Sequence, residues 1–374
     1  MKIIEGTIEN VSYETQFTKE LTPYEFAEFD INTAKSSGLI VDGKSQLAYS
    51  KWVSPKRTRT YPFERIYNTY NIQKRITIIP IIKDEGAHGD LDRIQFSTFS
   101  WMSLMGIFVV LGYYESAKKN QTAAQRKREK LTNQKFNSLF INEQIKGIMR
   151  HKLEAIHWNR TLIQRRFVEI LDTAIESYKK ISKKTNVKIH SYKGLSGFRD
   201  KIVGNFEEYK EISLRGSQRA SDRELVTTHA REFLAEGDKC KMILKNYLGG
   251  DYFLTADEIV KEGSLYVIQE SKNTSKSVLP SRSDIKDGLF KLILYSNIDK
   301  LTIDRKPVKF TTRLKLTSPF ITEKIVLPVS ENELEKYFAR NSSIFKKATM
   351  GTISLLNKEV SENRNISILL APNK

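Results

Sequence analysis

The segment DYFLTADEIVKEGSLYVIQESKN, Asp251 to Asn273, decides how the C-terminal third of the chain is read. Apolar residues alternate with polar ones on either side of Lys261-Glu262-Gly263-Ser264, a short glycine-containing turn, so two antiparallel strands are expected to lie side by side. Alternate residues of a strand share a face, which puts Tyr266, Ile268, Glu270 and Lys272 together. If Asp257 pairs with Ile268, it joins that face one step along the ladder from Glu270. Two carboxylates and one ammonium then converge at one end of a hairpin. A turn one residue longer reverses the face and brings Glu258 there in place of Asp257.

Beyond the hairpin, SDIKDGLFKLILYSN predicts a helix over Ser283 to Asn297, followed by the strand-like runs KLTID and FTTRLKLTS. A second helical stretch, Glu331 to Lys358, precedes the strand-like NISILLAP. Strand, strand, helix and strand in that order make an α/β domain, placed at residues 249–374. Upstream, apolar residues recur at helical spacing from Phe140 to Lys184, including Ile141, Ile145, Ile148, Phe167, Ile170 and Tyr178. They predict one very long helix or two stacked helices inside a basic helical region, residues 119–248. Residues 1–118 read as an N-terminal α/β lobe with strand-like runs such as Ile76 to Ile82. Its uncharged run from Phe96 to Tyr114 is interrupted by Ser97, Thr98, Ser100 and Ser103, and is expected to be a buried core element rather than a membrane span.

The formal net charge is +18, and residues 119–248 alone hold 28 Lys and Arg against 15 Asp and Glu. That imbalance implies a polyanionic partner, with nucleic acid ahead of an anionic membrane. The single cysteine, Cys240, cannot form an intramolecular disulfide, and MKIIEGTIENVSYE lacks the regions of a signal peptide, so a reducing, cytoplasmic setting is expected. The five histidines are scattered, a zinc finger is excluded, and neither a P-loop nor a dinucleotide fingerprint occurs. In SKWVSPKRTRTYPFERIYNTY, Lys56, Arg57 and Arg59 are interleaved with aromatic residues, as in a loop that reaches a DNA groove; a solvated loop over an aromatic core is the alternative.

Carboxylates at Asp257 and Glu270 suit Mg²⁺, a hard cation that retains waters and takes further ligands from substrate phosphate. The backbone carbonyl of Ser271 is a further candidate ligand. Lys272 beside them can orient the attacking water, accept its proton if its pKa is depressed, or stabilise developing charge. The pattern A-D-x12-E-S-K resembles the PD-(D/E)xK nuclease superfamily, to which most type II restriction endonucleases belong. The resemblance covers about fifty residues and departs at Ala256, where proline is usual.

That resemblance implies a restriction-endonuclease-like core, a mixed sheet flanked by helices, at the C-terminus. It also implies that Asp257 and Glu270 hold Mg²⁺, while Lys272 positions or activates the water. An acid from the preceding helix, Glu232 or Glu236, could complete the site, and Lys286 and Lys291 on the following helix could approach the phosphate backbone. Site-specific cleavage of double-stranded DNA is the expected activity. A homodimer suits a palindromic target, and a cognate DNA methyltransferase is expected in the same system. The alternatives are a non-catalytic DNA-binding protein, or a repair or mobile-element nuclease with the same core. Asp92, Glu115 and Lys118 form a fallback catalytic set.

Overall fold

The computed structural model describes residues 3–56, 59–121, 129–190, 199, 211, 215, 238–246 and 251–373. The chain divides into two compact units: a middle unit, Glu20–Arg215, and a split unit that joins Met1–Lys19 to Gly216–Lys374.

Strand β1 (Ile3–Ile8) opens the split unit. The middle unit then runs through β2 (Pro23–Glu25), β3 (Ser37–Asp42), β4 (Ser45–Lys51), α1 (Pro62–Thr69), β5 (Arg75–Pro80), β6 (Ile82–Asp84), β7 (Leu91–Arg93), α2 (Phe96–Leu104), β8 (Phe108–Gly112), β9 (Tyr114–Lys119), β10 (Leu131–Phe136), α3 (Ser138–Arg150), α4 (Ala155–Thr161) and α5 (Phe167–Thr185). Its main sheet has the order β2-β3-β4-β5-β8, parallel except between β3 and β4. The uncharged run from Phe96 to Tyr114 makes α2 and then β8, all five residues of which are buried. Strands buried on both faces read as continuous apolar runs, which accounts for its resemblance to a span. No helix among the described residues is long and apolar enough to cross a membrane.

The helical periodicity from Phe140 to Lys184 resolves into separate helices. Helix α3 is capped by the Asn137 side chain, which accepts from the Phe140 N–H, and ends at His151. There the Lys74 ammonium bonds the carbonyls of Met149 and His151 at 3.1 and 2.9 Å, supplying partners that the end of a helix lacks. Helix α4 follows, then a wider π-type turn at Leu162–Arg166, then α5. Helices α3 and α4 pack on β8, and α5 packs on β9.

The split unit resumes with β11 (Asp238–Asn246), β12 (Asp251–Glu262), β13 (Leu265–Asn273), α6 (Arg282–Ser296), β14 (Lys300–Ile303), β15 (Lys306–Pro307), β16 (Phe310–Ser318), β17 (Ile325–Leu327), α7 (Glu331–Arg340), α8 (Lys347–Glu362) and β18 (Ile366–Pro372). Among the described residues they form one mixed sheet of nine strands, ordered β15-β14-β1-β11-β12-β13-β16-β18-β17. Strands β11, β12 and β13 are a meander, while β16 runs parallel to β13 and β18 parallel to β16.

The boundaries expected at 118/119 and 248/249 therefore do not coincide with those of the two units. Part of the expected basic helical region, α3 to α5, belongs to the middle unit, and β11 belongs to the sheet of the split unit. Strand β1, expected in the N-terminal lobe, lies parallel to β11 and antiparallel to β14. The strap after β1 is fixed by Glu359 of α8, which is fully buried and accepts from the Tyr13 hydroxyl at 2.8 Å and from the Gln16 and Phe17 amides at 2.5 and 2.9 Å. Charge-assisted bonds of this kind contribute about 1.5–3 kcal/mol each, enough to hold a buried carboxylate and the segment that satisfies it.

Candidate active site

The β12–β13 ladder pairs Glu262 with Leu265, Ile259 with Ile268 and Glu258 with Gln269. The turn is thus only two residues, Gly263-Ser264. Gly263 has φ +62°, which glycine supplies without strain at the first central position of a tight hairpin. The expected pairing of Asp257 with Ile268 is out by two residues, because the turn is tighter than the four-residue reading. Continuing the observed ladder by one step puts Asp257 opposite Glu270. A slip of two preserves the face, so the two carboxylates still meet.

Asp257 accepts the Ser271 N–H at 2.9 Å. Ser271 thus enters the site through its amide. Glu270, 1% exposed, takes the Lys291 ammonium on both oxygens, at 2.8 and 2.9 Å, and the Lys272 ammonium on one, at 3.0 Å. Lys272 also lies 3.6 Å from Asp287. Three acids and two ammoniums are gathered where β13 meets α6.

Helix α6 positions its share of this group by its own chemistry. The Ser281 hydroxyl caps it, accepting from the Asp284 N–H, and its apolar residues from Ile285 to Tyr295 are buried. Asp287 and Lys291 are four apart and so share one face of the helix. Gly288 lies between them: a β-carbon there would come within 2.7 Å of Leu314 Cδ1 and 3.4 Å of Lys272 Cε. Glycine lets the helix approach β16 closely enough for Lys291 to reach Glu270.

The electrostatics follow from burial and pairing. Burial, together with the charge of Glu270, pushes the Asp257 carboxyl up from 3.8 to about 6. Burial pushes Glu270 up as well, but Lys291 and Lys272 outweigh it and the net shift is downward. Asp287 is raised, chiefly by burial. For Lys272 and Lys291, burial favours loss of the proton, yet Glu270 prevails and both are raised. A depressed lysine, one of the roles expected for Lys272, is therefore not what the site provides.

The other candidates fall into distinct places. Glu258 is on the opposite face, 2% exposed, accepting from Gln269 Nε2 at 2.5 Å. Lys286 is buried with its ammonium 5.4 Å from the Phe17 ring centre, turned into the fold and away from an outside phosphate. The Lys291 charge is committed to Glu270 rather than offered outward. Glu232, Glu236 and Arg57 lie outside the described residues. Lys56 is exposed, whereas Arg59 is enclosed by Glu85, Asp90 and Asp92 and spends its charge within the unit. Of the aromatic residues around it, Trp52, Phe63, Tyr67 and Tyr70 are core, whereas Tyr61 is exposed.

The two acids of the fallback set each have a partner elsewhere. Asp92 accepts from the Ser54 hydroxyl at 2.6 Å, Glu115 accepts from Asn137 Nδ2 at 2.8 Å, and no hydrogen bond or ion pair joins any two of Asp92, Glu115 and Lys118 among the described residues. Asp287 was not singled out from the sequence. Its one signal was its spacing of four from Lys291.

Among the described residues, no group of three or more His, Cys, Asp or Glu side chains is arranged to hold a metal by itself. A pair of carboxylates is nevertheless a donor set that Mg²⁺ uses when substrate phosphate and water supply the rest. Asp257 and Glu270 have that character. Comparison of the chain with protein-family models, with curated proteins and with solved structures returned no match.

Proposed function

We propose that the split unit is a Mg²⁺-dependent endonuclease that hydrolyses phosphodiester bonds of duplex DNA at a specific site. The observation that carries this reading is the meeting of Asp257, Glu270 and Lys272 on one face of the β12–β13 hairpin. The order β11, β12, β13, α6 and then β16 parallel to β13 supports a restriction-endonuclease-like core.

Asp257 and Glu270 would hold the ion, which when bound supplies a water of lowered pKa and a counter-charge for the phosphorane. The residues of the chain do the rest. Lys272, kept protonated by Glu270 and set between it and Asp287, orients the water and faces the developing negative charge. Lys291 holds Glu270 in place and offsets its charge. Asp257 is fixed by the Ser271 amide on one oxygen, and its other oxygen would be the one available to hold the ion. Cutting both strands of a palindrome calls for a two-fold dimer, and a restriction role calls for a partner methyltransferase.

A second reading has one observation behind it: both oxygens of Glu270 already face ammoniums, as in a purely structural ion network within a non-catalytic DNA-binding protein. Incubating plasmid with the purified protein and Mg²⁺ separates the two. Discrete fragments, lost in Glu270→Gln and Lys272→Ala while DNA binding persists, are expected. Intact, retarded plasmid at every Mg²⁺ concentration would favour the structural network.

A further inference from the structure

The middle unit has a cleft beside the β9–β10 hairpin, with a cavity volume of about 460 Å³. We infer that this cleft is a second binding site, for a nucleotide. Its wall carries Lys51, Lys83, Lys130 and Lys135 against a single acid, Glu85. Two of these charges are already placed: Lys51 bonds the carbonyls of Ile31 and Ala34 at 2.7 and 2.9 Å, and Lys83 lies 3.2 Å from Glu85. Glu85 is shared with Arg59. Lys130 and Lys135 meet no carboxylate among the described residues and are half-buried and exposed respectively, so two ammoniums of the lining are open to an external anion. Ammonium groups bind phosphate as point charges.

The rest of the cleft suits the remainder of a nucleotide. Leu131 and Val53 contribute apolar surface, while Asn133 and Gln134 contribute amide donors and acceptors. Gln134 is locked in place, accepting from the Tyr178 hydroxyl at 2.6 Å and donating to the Asp84 carbonyl at 2.8 Å. Asn133 has φ +49°, and the β9–β10 register shifts between Thr132 and Lys135. A bulge with a left-handed non-glycine residue re-aims side chains at a cost of about 1–3 kcal/mol, and such strain gathers at binding sites. The volume exceeds what a bare phosphate fills and lies in the range of small-molecule sites. A mononucleotide in solution and one nucleotide of a bound strand share this chemistry. The inference belongs to the middle unit and does not rest on the nuclease reading.

Calorimetric titration of the full chain in chelator tests it, with deoxyguanosine monophosphate, inorganic phosphate, deoxyguanosine and a twelve-nucleotide single strand as probes. The monophosphate should bind, and more tightly than either phosphate or the nucleoside. The double variant Lys130→Glu, Lys135→Glu should lose at least about tenfold in affinity, since two charge-assisted contacts are reversed. Glu270→Gln should bind the monophosphate like the parent, which keeps this outcome separate from that of the hairpin site. A strand that binds more tightly than the monophosphate, with the same loss in the double variant, identifies the ligand as strand-borne; the opposite order identifies a free nucleotide. Equal affinity for phosphate and the monophosphate, unchanged affinity in the double variant, or no binding of either nucleotide probe overturns the inference.

Discussion

Asp257→Asn is expected to stabilise the metal-free protein at neutral pH and to remove its response to Mg²⁺. The Asp257 carboxyl is raised from 3.8 to about 6 by burial and by the charge of Glu270. Below the unfolded value the group is protonated in both states and favours neither. As pH rises through the interval between the two values, the unfolded chain releases the proton first, and the folded state loses stability until about pH 6. At 1.36 kcal/mol per tenfold change, the loss at neutral pH is about 3 kcal/mol, a sizeable fraction of the roughly 5–15 kcal/mol that holds a domain together. Asparagine keeps an oxygen to accept the Ser271 N–H and carries no charge to bury.

Urea unfolding in chelator, followed by far-UV circular dichroism, is the assay. Tryptophan fluorescence would report on the middle unit, where Trp52, Trp101 and Trp158 all lie. The variant should gain about 1–3 kcal/mol at pH 7.5 and little at pH 4, where the parent carboxyl is protonated in the folded state. Mg²⁺ at 10 mM should then add about 1.4 kcal/mol to the parent if the Kd is about 1 mM, and far less to the variant. A variant that is less stable than the parent at pH 7.5, or one that responds equally to Mg²⁺, would refute the reasoning.

Lys291→Met leaves buried Glu270 with Lys272 as its remaining partner, and should cost about 3 kcal/mol in urea unfolding at neutral pH. Because Glu270 is held below its ordinary value of 4.5, the stabilisation lost is that present above that value, so parent and variant should converge as the pH falls through the depressed Glu270 pKa. Gly288→Ala sets a gain in helix propensity of up to about 1 kcal/mol against a 2.7 Å approach to Leu314; the overpacking should win by about 1–2 kcal/mol, seen as a lower urea midpoint. Glu258→Gln, on the far face of the hairpin, should leave the cleavage rate unchanged; loss of cleavage would show that the observed register is wrong. DNA affinity should fall steeply between about 50 and 200 mM salt, as release of several counterions requires, and a flat response in a filter-binding assay would rule out phosphate contacts as its main source.

The hairpin was legible in the sequence because its signals are local. Alternation of period two marks the strands and Gly263 marks the turn; parity limits the facing acid to Asp257 or Glu258 according to turn length, and the observed two-residue turn selects Asp257, two residues from the expected register but on the same face. Helix α6 and strands β14, β16 and β18 were likewise readable from periodicity. What spacing could not express was how separate elements cross. Lys291 is 21 residues from Glu270, and its placement on that carboxylate depends on the close approach that Gly288 permits between α6 and the sheet. The insertion of β1 between β11 and β14, and the enclosure of Arg59 by acids 26 to 33 residues away, are also contacts between distant segments. Local sequence determined which residues share a face of each strand and helix, since that follows from backbone geometry. Which charges are neutralised and which stay available was decided only by tertiary packing, because the energy of a charge depends on the partners and the solvent that the fold brings to it.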